Sequence, residues 1–271
     1  MTTKLLSKSA LAFLLALTLA APLFAKEPFA ALAGKGDVAR LLAEVSDNTD
    51  VSMIVGDFKV VDLNSDGRPE LVATVDYTGR NYFNTIAIVW QTRSGLRMRT
   101  IETWNVETLE GALRDLDGDG KLEILVPKLL TPYLGARPYA AWTSVQALIG
   151  NDYADQSSRF RLFYEKTVIP ALQQQLEEAR AAGEKHNAEV AEVALFKVMR
   201  VTGDAKAGLQ RGLAWSEDAD PLARIYAVSV LSEIDDRDAL QAINKLAEDP
   251  DPEVASVART ARERLSPRNR M

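Results

Sequence analysis

The sequence predicts an α+β chain, an antiparallel β-sheet module followed by an α-helical module, and three observations carry that expectation. Between about Met53 and Leu148 the apolar residues come in short β-branched runs, the pattern of strands. Beyond Ser158 the spacing turns helical and stays so to about Leu265. Acidic, glycine-containing turns recur in the first region and Asp-Pro pairs in the second. Strands and helices are therefore segregated along the chain rather than alternating.

Residues 1–25 belong to neither module. Lys4 and Lys8 precede an apolar run from Leu11 to Ala21, and Pro22-Leu23-Phe24-Ala25 leads into Lys26-Glu27. This predicts a secretory signal peptide cut after Ala25, with Ala20 and Ala21 as alternative cut sites and an uncleaved anchor as the competing reading. The run is shorter than the roughly 20 residues that span a bilayer. No cysteine follows it for a lipid anchor, and no later stretch is long enough to cross, so a periplasmic or secreted mature chain without a transmembrane segment is expected. Losing Lys4 and Lys8 leaves 30 basic against 38 acidic residues, which moves the formal charge from −6 to −8.

The β module is expected over residues 26–157. A short helix is predicted from Val38 to Val45 with Asp37 as its N-cap. Strands are predicted at Met53–Val55, Leu71–Val75, Thr85–Trp90 and Leu122–Val126, and a last hairpin turns at Gly150-Asn151-Asp152. Tyr153 and Phe160 read as core residues rather than ligand contacts, as do Trp90, Trp104, Trp142 and Trp215. The helical module covers residues 158–271: a long helix over 162–183 interrupted near Pro170, helices near Asn187–Met199 and Ala205–Trp215, two more behind Asp220-Pro221 and Asp251-Pro252, and a frayed tail.

Composition removes whole classes of chemistry. The chain has 271 residues, 47% of them hydrophobic, with no cysteine and one histidine, His186. Cysteine-based zinc, redox and iron–sulfur sites are excluded, as are two-histidine metal sites within one chain. His186 lies in the polar connection Gly183-Glu184-Lys185-His186-Asn187 and reads as solvated surface. The acidic balance argues against nucleic acid as a partner.

The strongest signal is a duplicated loop. Asp62-Leu63-Asn64-Ser65-Asp66-Gly67-Arg68-Pro69-Glu70 has oxygen side chains at positions 1, 3, 5 and 9. Asp115-Leu116-Asp117-Gly118-Asp119-Gly120-Lys121-Leu122-Glu123 repeats the spacing 53 residues later. Oxygens on alternate residues converge on a hard cation when the backbone curls around it. Glycine at position 6 permits the bend, and position 7, Arg68 or Lys121, offers its carbonyl. The predicted ligands are Asp62, Asn64, Asp66, Arg68 and Glu70 in one loop and Asp115, Asp117, Asp119, Lys121 and Glu123 in the other. All-oxygen donors favour Ca²⁺, two ions in all, with the second loop the tighter because it has four carboxylates against three. Polar hairpins that stay empty are the competing reading. An EF-hand fails: its bidentate Glu at position 12 is replaced by Ala73 and Val126, and the flanks read as strands.

Gly56-Asp57-Phe58-Lys59-Val60-Val61 followed by the first loop and Leu71-Val72 resembles the FG-GAP/VCBS repeat family, over about residues 53–150. Leu113 to Val126 is similar, although its lead-in Glu110-Gly111-Ala112 lacks the Phe. The resemblance implies Ca²⁺ loops inside strand–loop–strand units of propeller-blade type. Glu70 and Glu123 depart from the family's usual Asp at position 9. Two repeats cannot close a propeller, so an open, blade-like antiparallel sheet is expected, covered by the helices or completed by another chain.

Asp220-Pro221-Leu222-Ala223-Arg224-Ile225-Tyr226-Ala227 aligns with Asp251-Pro252-Glu253-Val254-Ala255-Ser256-Val257-Ala258 at an offset of 31. The pattern resembles HEAT-like repeats over about residues 187–265, which implies a surface for a protein partner or for self-association; helices that merely cap the sheet are the other reading. Arg259, Arg262, Arg264, Arg268 and Arg270 make the C-terminus basic, a solvated face or a dock for an acidic partner. The functional expectation is an exported, non-catalytic calcium-binding protein. The alternative is a secreted hydrolase, possibly acting on glycans, with structural calcium sites.

Overall fold

The computed structural model describes residues 28–46, 53–80, 82–132, 137–150 and 152–265. The expected signal peptide, Asn151, Arg268 and Arg270 lie outside them. Among the described residues no helix is long and apolar enough to cross a membrane.

Helix α1 spans Lys35–Ser46 and starts earlier than the predicted Val38. Asp37 is accordingly not the N-cap but sits inside the first turn, where its carboxylate accepts from Ala33 N (3.1 Å) and from Arg40 (2.9 Å). Negative charge there complements the free amides of the helix start.

Eight strands follow: β1 Ile54–Val61, β2 Glu70–Asp76, β3 Thr85–Thr92, β4 Gly95–Glu102, β5 Leu113–Arg114, β6 Glu123–Leu129, β7 Ala141–Ile149 and β8 Asp152–Asp155. They form two antiparallel four-stranded sheets, β1-β2-β3-β4 and β5-β6-β7-β8, each in chain order. One open sheet was the expectation; there are two, one for each acidic loop. The link after β4 builds the second sheet, since Trp104 N donates to Pro127 O (2.9 Å) and Leu125 N to Ala112 O (2.7 Å). Pro127 lies inside β6, yet β5 pairs only with Glu123 and Ile124, so no neighbouring strand needs the N–H that proline lacks.

The layers follow from strand alternation. Leu71, Ala73, Val75, Ala87 and Val89 pack beneath Val38 and Leu42 of α1. Their alternates Val72, Ile86 and Ile88 meet Ile124, Val126 and Tyr153 of the second sheet. Strand β2 is covered on both faces, and all seven of its residues are buried. The far face of the second sheet, including Trp142, Val145 and Ala147, packs against Phe160, Tyr164 and Val198.

The helical half runs through a 3₁₀ turn Ser157–Phe160, α2 Arg161–Phe163, a π turn Tyr164–Val168, α3 Ile169–Ala181, α4 Lys185–Thr202, α5 Leu209–Ser216, α6 Pro221–Leu231, α7 Arg237–Leu246 and α8 Pro252–Leu265. The expected interruption near Pro170 is the π turn: Ile169 N bonds to Tyr164 O, and Pro170 then enters the first turn of α3, where a missing N–H costs nothing. Helices pair as α3/α4, α5/α6 and α7/α8, with α4 against α6, α6 against α8 and α5 against α7. Asp220 caps α6 through Leu222 N (3.0 Å), and Asp251 accepts from Glu253 N (2.9 Å) at the start of α8. Arg224 grips both oxygens of Asp249 (2.8 and 3.0 Å), tying one Asp-Pro unit to the next.

Candidate metal centre

Both acidic loops occupy the same place in their sheets. Asp62–Glu70 joins β1 to β2, and Asp115–Glu123 joins β5 to β6. The flanks are strands, as the rejection of an EF-hand required. Ala73 and Val126, which replace its twelfth ligand, are fully buried in β2 and β6.

Four hydrogen bonds recur position for position. The position 1 carboxylate accepts from the position 6 N–H, Gly67 to Asp62 (2.8 Å) and Gly120 to Asp115 (3.0 Å). The position 3 oxygen accepts from the position 5 N–H, Asp66 to Asn64 (2.9 Å) and Asp119 to Asp117 (3.3 Å). The position 5 carboxylate accepts from the position 7 N–H, Arg68 to Asp66 (2.8 Å) and Lys121 to Asp119 (2.9 Å). Glu at position 9 folds back to accept from the position 2 N–H, Leu63 to Glu70 and Leu116 to Glu123, both at 2.8 Å. The glycines at position 6 are left-handed, with φ of 82° at Gly67 and 83° at Gly120, a conformation only glycine takes without cost. Position 4 is left-handed too, at Ser65 (φ 58°) and Gly118 (φ 79°).

Electrostatically the loops are short of positive charge. Glu70 is 5% exposed and Glu123 3%. Burial pushes the Glu70 carboxyl up to about 7; the Leu63 N–H pulls it part of the way back, and the Asp66 and Asp62 charges raise it again. Burial likewise raises Glu123, against the Leu116 N–H and with the charges of Asp117, Asp119 and Asp115. Asp119 is held low, first by the Lys121 N–H against some desolvation, then by the Lys121 ammonium and Arg159.

In the second loop, oxygens of Asp115, Asp117 and Glu123 lie within 4.8 Å of one another, a separation that one cation spans. The first loop brings no such carboxylate trio together: position 3 is an amide, and Asn64 Nδ2 donates to Glu70 Oε1 (3.1 Å). Hard oxygen donors packed this closely fit a divalent ion.

Two features escaped sequence reading. The loops touch each other: the Ser65 hydroxyl donates to the Gly120 carbonyl, and Leu122 N donates to Leu63 O (2.8 Å). Arg159, from the 3₁₀ turn, pairs with Asp117 and approaches Asp119 at 4.0 Å. Nothing local marks these partners, which are 40 or more residues apart in the chain.

The matched region begins and ends on these loops. Residues 62–126 carry an FG-GAP-like repeat. The FG-GAP-like stretch opens on Asp62 of the first loop and closes on Val126, just past the second, taking in β2 to β5 between them. No curated protein and no solved structure matches the chain. Gly56-Asp57-Phe58, which precedes the matched stretch, also has a structural role. A Cβ at Gly56 would lie 2.7 Å from Thr74 Oγ1 and 2.8 Å from both Glu107 O and Phe83 Cε1, so the segment before β5 can close onto β1 only over glycine. Asp57 then accepts from Leu109 N (2.8 Å), across the same gap.

Elsewhere, Trp142, Trp215, Tyr153 and Phe160 are buried as expected. Trp90 is half-buried, and Trp104 stacks edge-on between Tyr82 and Tyr139. His186 is not simply solvated: its Nδ1 lies 2.9 Å from an oxygen of Glu189, which is 3% exposed.

Proposed function

We propose that the chain is an exported, non-catalytic calcium-binding protein whose FG-GAP-like loops hold two Ca²⁺ ions that pin the β module, while the stacked helices serve a protein partner or self-association. The observation that carries this reading is the recurrence of one hydrogen-bond scheme in both loops, each closed by a buried Glu, with oxygens of Asp115, Asp117 and Glu123 gathered within 4.8 Å in the second. That scheme orders donors before any ion arrives, so an ion binds without reorganising the backbone. Two ions would add four positive charges to a chain whose mature formal charge is −8.

Each sheet has the four-stranded meander of a propeller blade, and the blade-like reading follows the family resemblance. The helical pairs α3/α4, α5/α6 and α7/α8, with Asp-Pro at the starts of α6 and α8 and the Arg224–Asp249 link, support the HEAT-like reading. Stacked pairs of that kind present one long face to a partner.

The deciding experiment is Ca²⁺ calorimetry on the mature chain, with melting curves in Ca²⁺ and in chelator. Two sites and a higher melting temperature in Ca²⁺ are expected. No heat up to about 1 mM Ca²⁺, the weak end for extracellular modules, together with identical melts, would remove the metal reading.

A further inference from the structure

The two loops differ in what lies over them. Arg159 pairs with the second. The first opens onto a cleft of about 460 Å³, within the roughly 300–1,000 Å³ of small-molecule sites. One wall comes from the loop, with Asn64 and Glu70; another from β3 and β4, with Trp90, Gln91 and Arg97; the third holds Tyr153 of β8. Tyr153 is 5% exposed, and its hydroxyl is buried without a hydrogen-bond partner. That hydroxyl lies in the field of Glu70, Glu123 and Asp62. A buried phenol among carboxylates with no partner of its own marks a place for one.

The chemistry narrows the occupant. A group between a phenol and a carboxylate must donate to the carboxylate and exchange a hydrogen bond with the phenol, which a hydroxyl does and an anion does not. Arg68 and Arg97 line the wall together with Asp66 and Glu70, so the lining carries both signs and favours an uncharged occupant. Trp90 offers an aromatic face for C–H groups, and Asn64, Gln91 and Arg97 are planar donors that suit closely spaced hydroxyls. Apolar C–H on one side and hydroxyls on the other describe a pyranose ring. We propose that this cleft binds an uncharged saccharide, with the ring on Trp90 and a hydroxyl bridging Tyr153 and Glu70. The site shares Asn64 and Glu70 with the first proposed metal loop but does not require the ion.

The test titrates the mature chain with maltose, cellobiose and chitobiose, in Ca²⁺ and separately in EDTA, following tryptophan fluorescence and heat. Saturable binding of at least one disaccharide, in either buffer, is expected with Kd below about 5 mM. Trp90→Ala should abolish it. Tyr153→Phe, which keeps the ring and removes only the unpartnered hydroxyl, should weaken it about tenfold or more while the melting temperature holds or rises. No binding of any of the three up to about 20 mM in both buffers overturns the proposal, and so does Tyr153→Phe binding as well as the parent. A Ca²⁺ titration of the same samples without sugar reads the metal sites separately, so each proposal fails on its own measurement.

Discussion

Asp76 offers the sharpest test of how the first sheet is held, because a fully buried carboxylate there is satisfied without any cation. Its side chain ends β2 and accepts from Thr78 N and Thr78 Oγ1 (both 2.6 Å), Arg80 N (2.8 Å) and Tyr82 N (3.0 Å). Burial pushes its pKa up, but the Thr78 side chain and the Thr78, Tyr82 and Arg80 N–H groups outweigh that and bring it to about 2, from 3.8. A group depressed on folding contributes stability that is fully present above its unfolded pKa and lost as pH falls through the folded one. At 1.36 kcal/mol per pKa unit, the shift amounts to about 2 kcal/mol, lost between about pH 4 and pH 2. Asp76→Asn gives a second estimate. An amide presents one oxygen and one NH₂, so about half of the four donors lose their acceptor. At about 1 kcal/mol each, the low end because the turn is partly solvated, this is again about 2 kcal/mol. Urea titrations of parent and Asp76→Asn, both in chelator, should therefore differ by about 2 kcal/mol at pH 7 and converge toward pH 2. Other carboxylates titrate alike in both proteins and cancel. A gap that stays constant from pH 7 to pH 2.5 would refute the reasoning.

Other substitutions probe the remaining links. Asp119→Ala should lower Ca²⁺ affinity and the Ca²⁺-induced rise in melting temperature more than Asp66→Ala does, read by calorimetry and melts, because the second loop has four carboxylates against three in the first. Gly56→Ala forces three contacts at or below 2.8 Å, an overpacking that should cost about 2–3 kcal/mol in urea titration. Gly120→Ala, at φ 83° and with an added Cβ in ordinary contact with Ser65 Oγ at 3.5 Å, should cost only about 1 kcal/mol in chelator, the backbone penalty of the left-handed region. Arg224→Ala leaves the carboxylate of Asp249, 7% exposed, without its partner; a loss of about 3 kcal/mol is expected, and a midpoint within error of the parent would refute it.

The division into a β half and a helical half was legible because it rests on local periodicity, and so was the hairpin at Gly150, where Leu148 pairs with Tyr153. Strand β4 was not read: Leu96 and Met98 alternate with Arg97 and Arg99, but Thr100 and Ile101 reverse the phase, and the exposed arginines fit its edge position, since it pairs with β3 alone. Nor was the short β5, whose Leu113–Arg114 is defined by its partner β6 rather than by its own residues. At the loops, alternate oxygens and the glycine at position 6 could be read directly. The left-handed position 4 had a signal in Gly118, but Ser65 concealed it in the other copy. Ser65 tolerates that conformation while its hydroxyl reaches the Gly120 carbonyl, a contact no local pattern records.

That contact bears on how the two sheets stack. Leu63, at position 2 of the first loop, packs between the two sheets, and Leu116, at position 2 of the second, packs between the second sheet and the helices. Each loop thus sends its Leu forward into the next layer. For the first loop that layer is another sheet, whose loop supplies Gly120 to Ser65. For the second it is Phe160 and Tyr164, and the turn that carries Phe160 supplies Arg159 to Asp117. The helices therefore stand where a third sheet would, and α1 closes the opposite face with Val38 and Leu42. Covered at both faces, the two sheets bury the apolar residues of β2 and β6 without a further strand layer among the described residues.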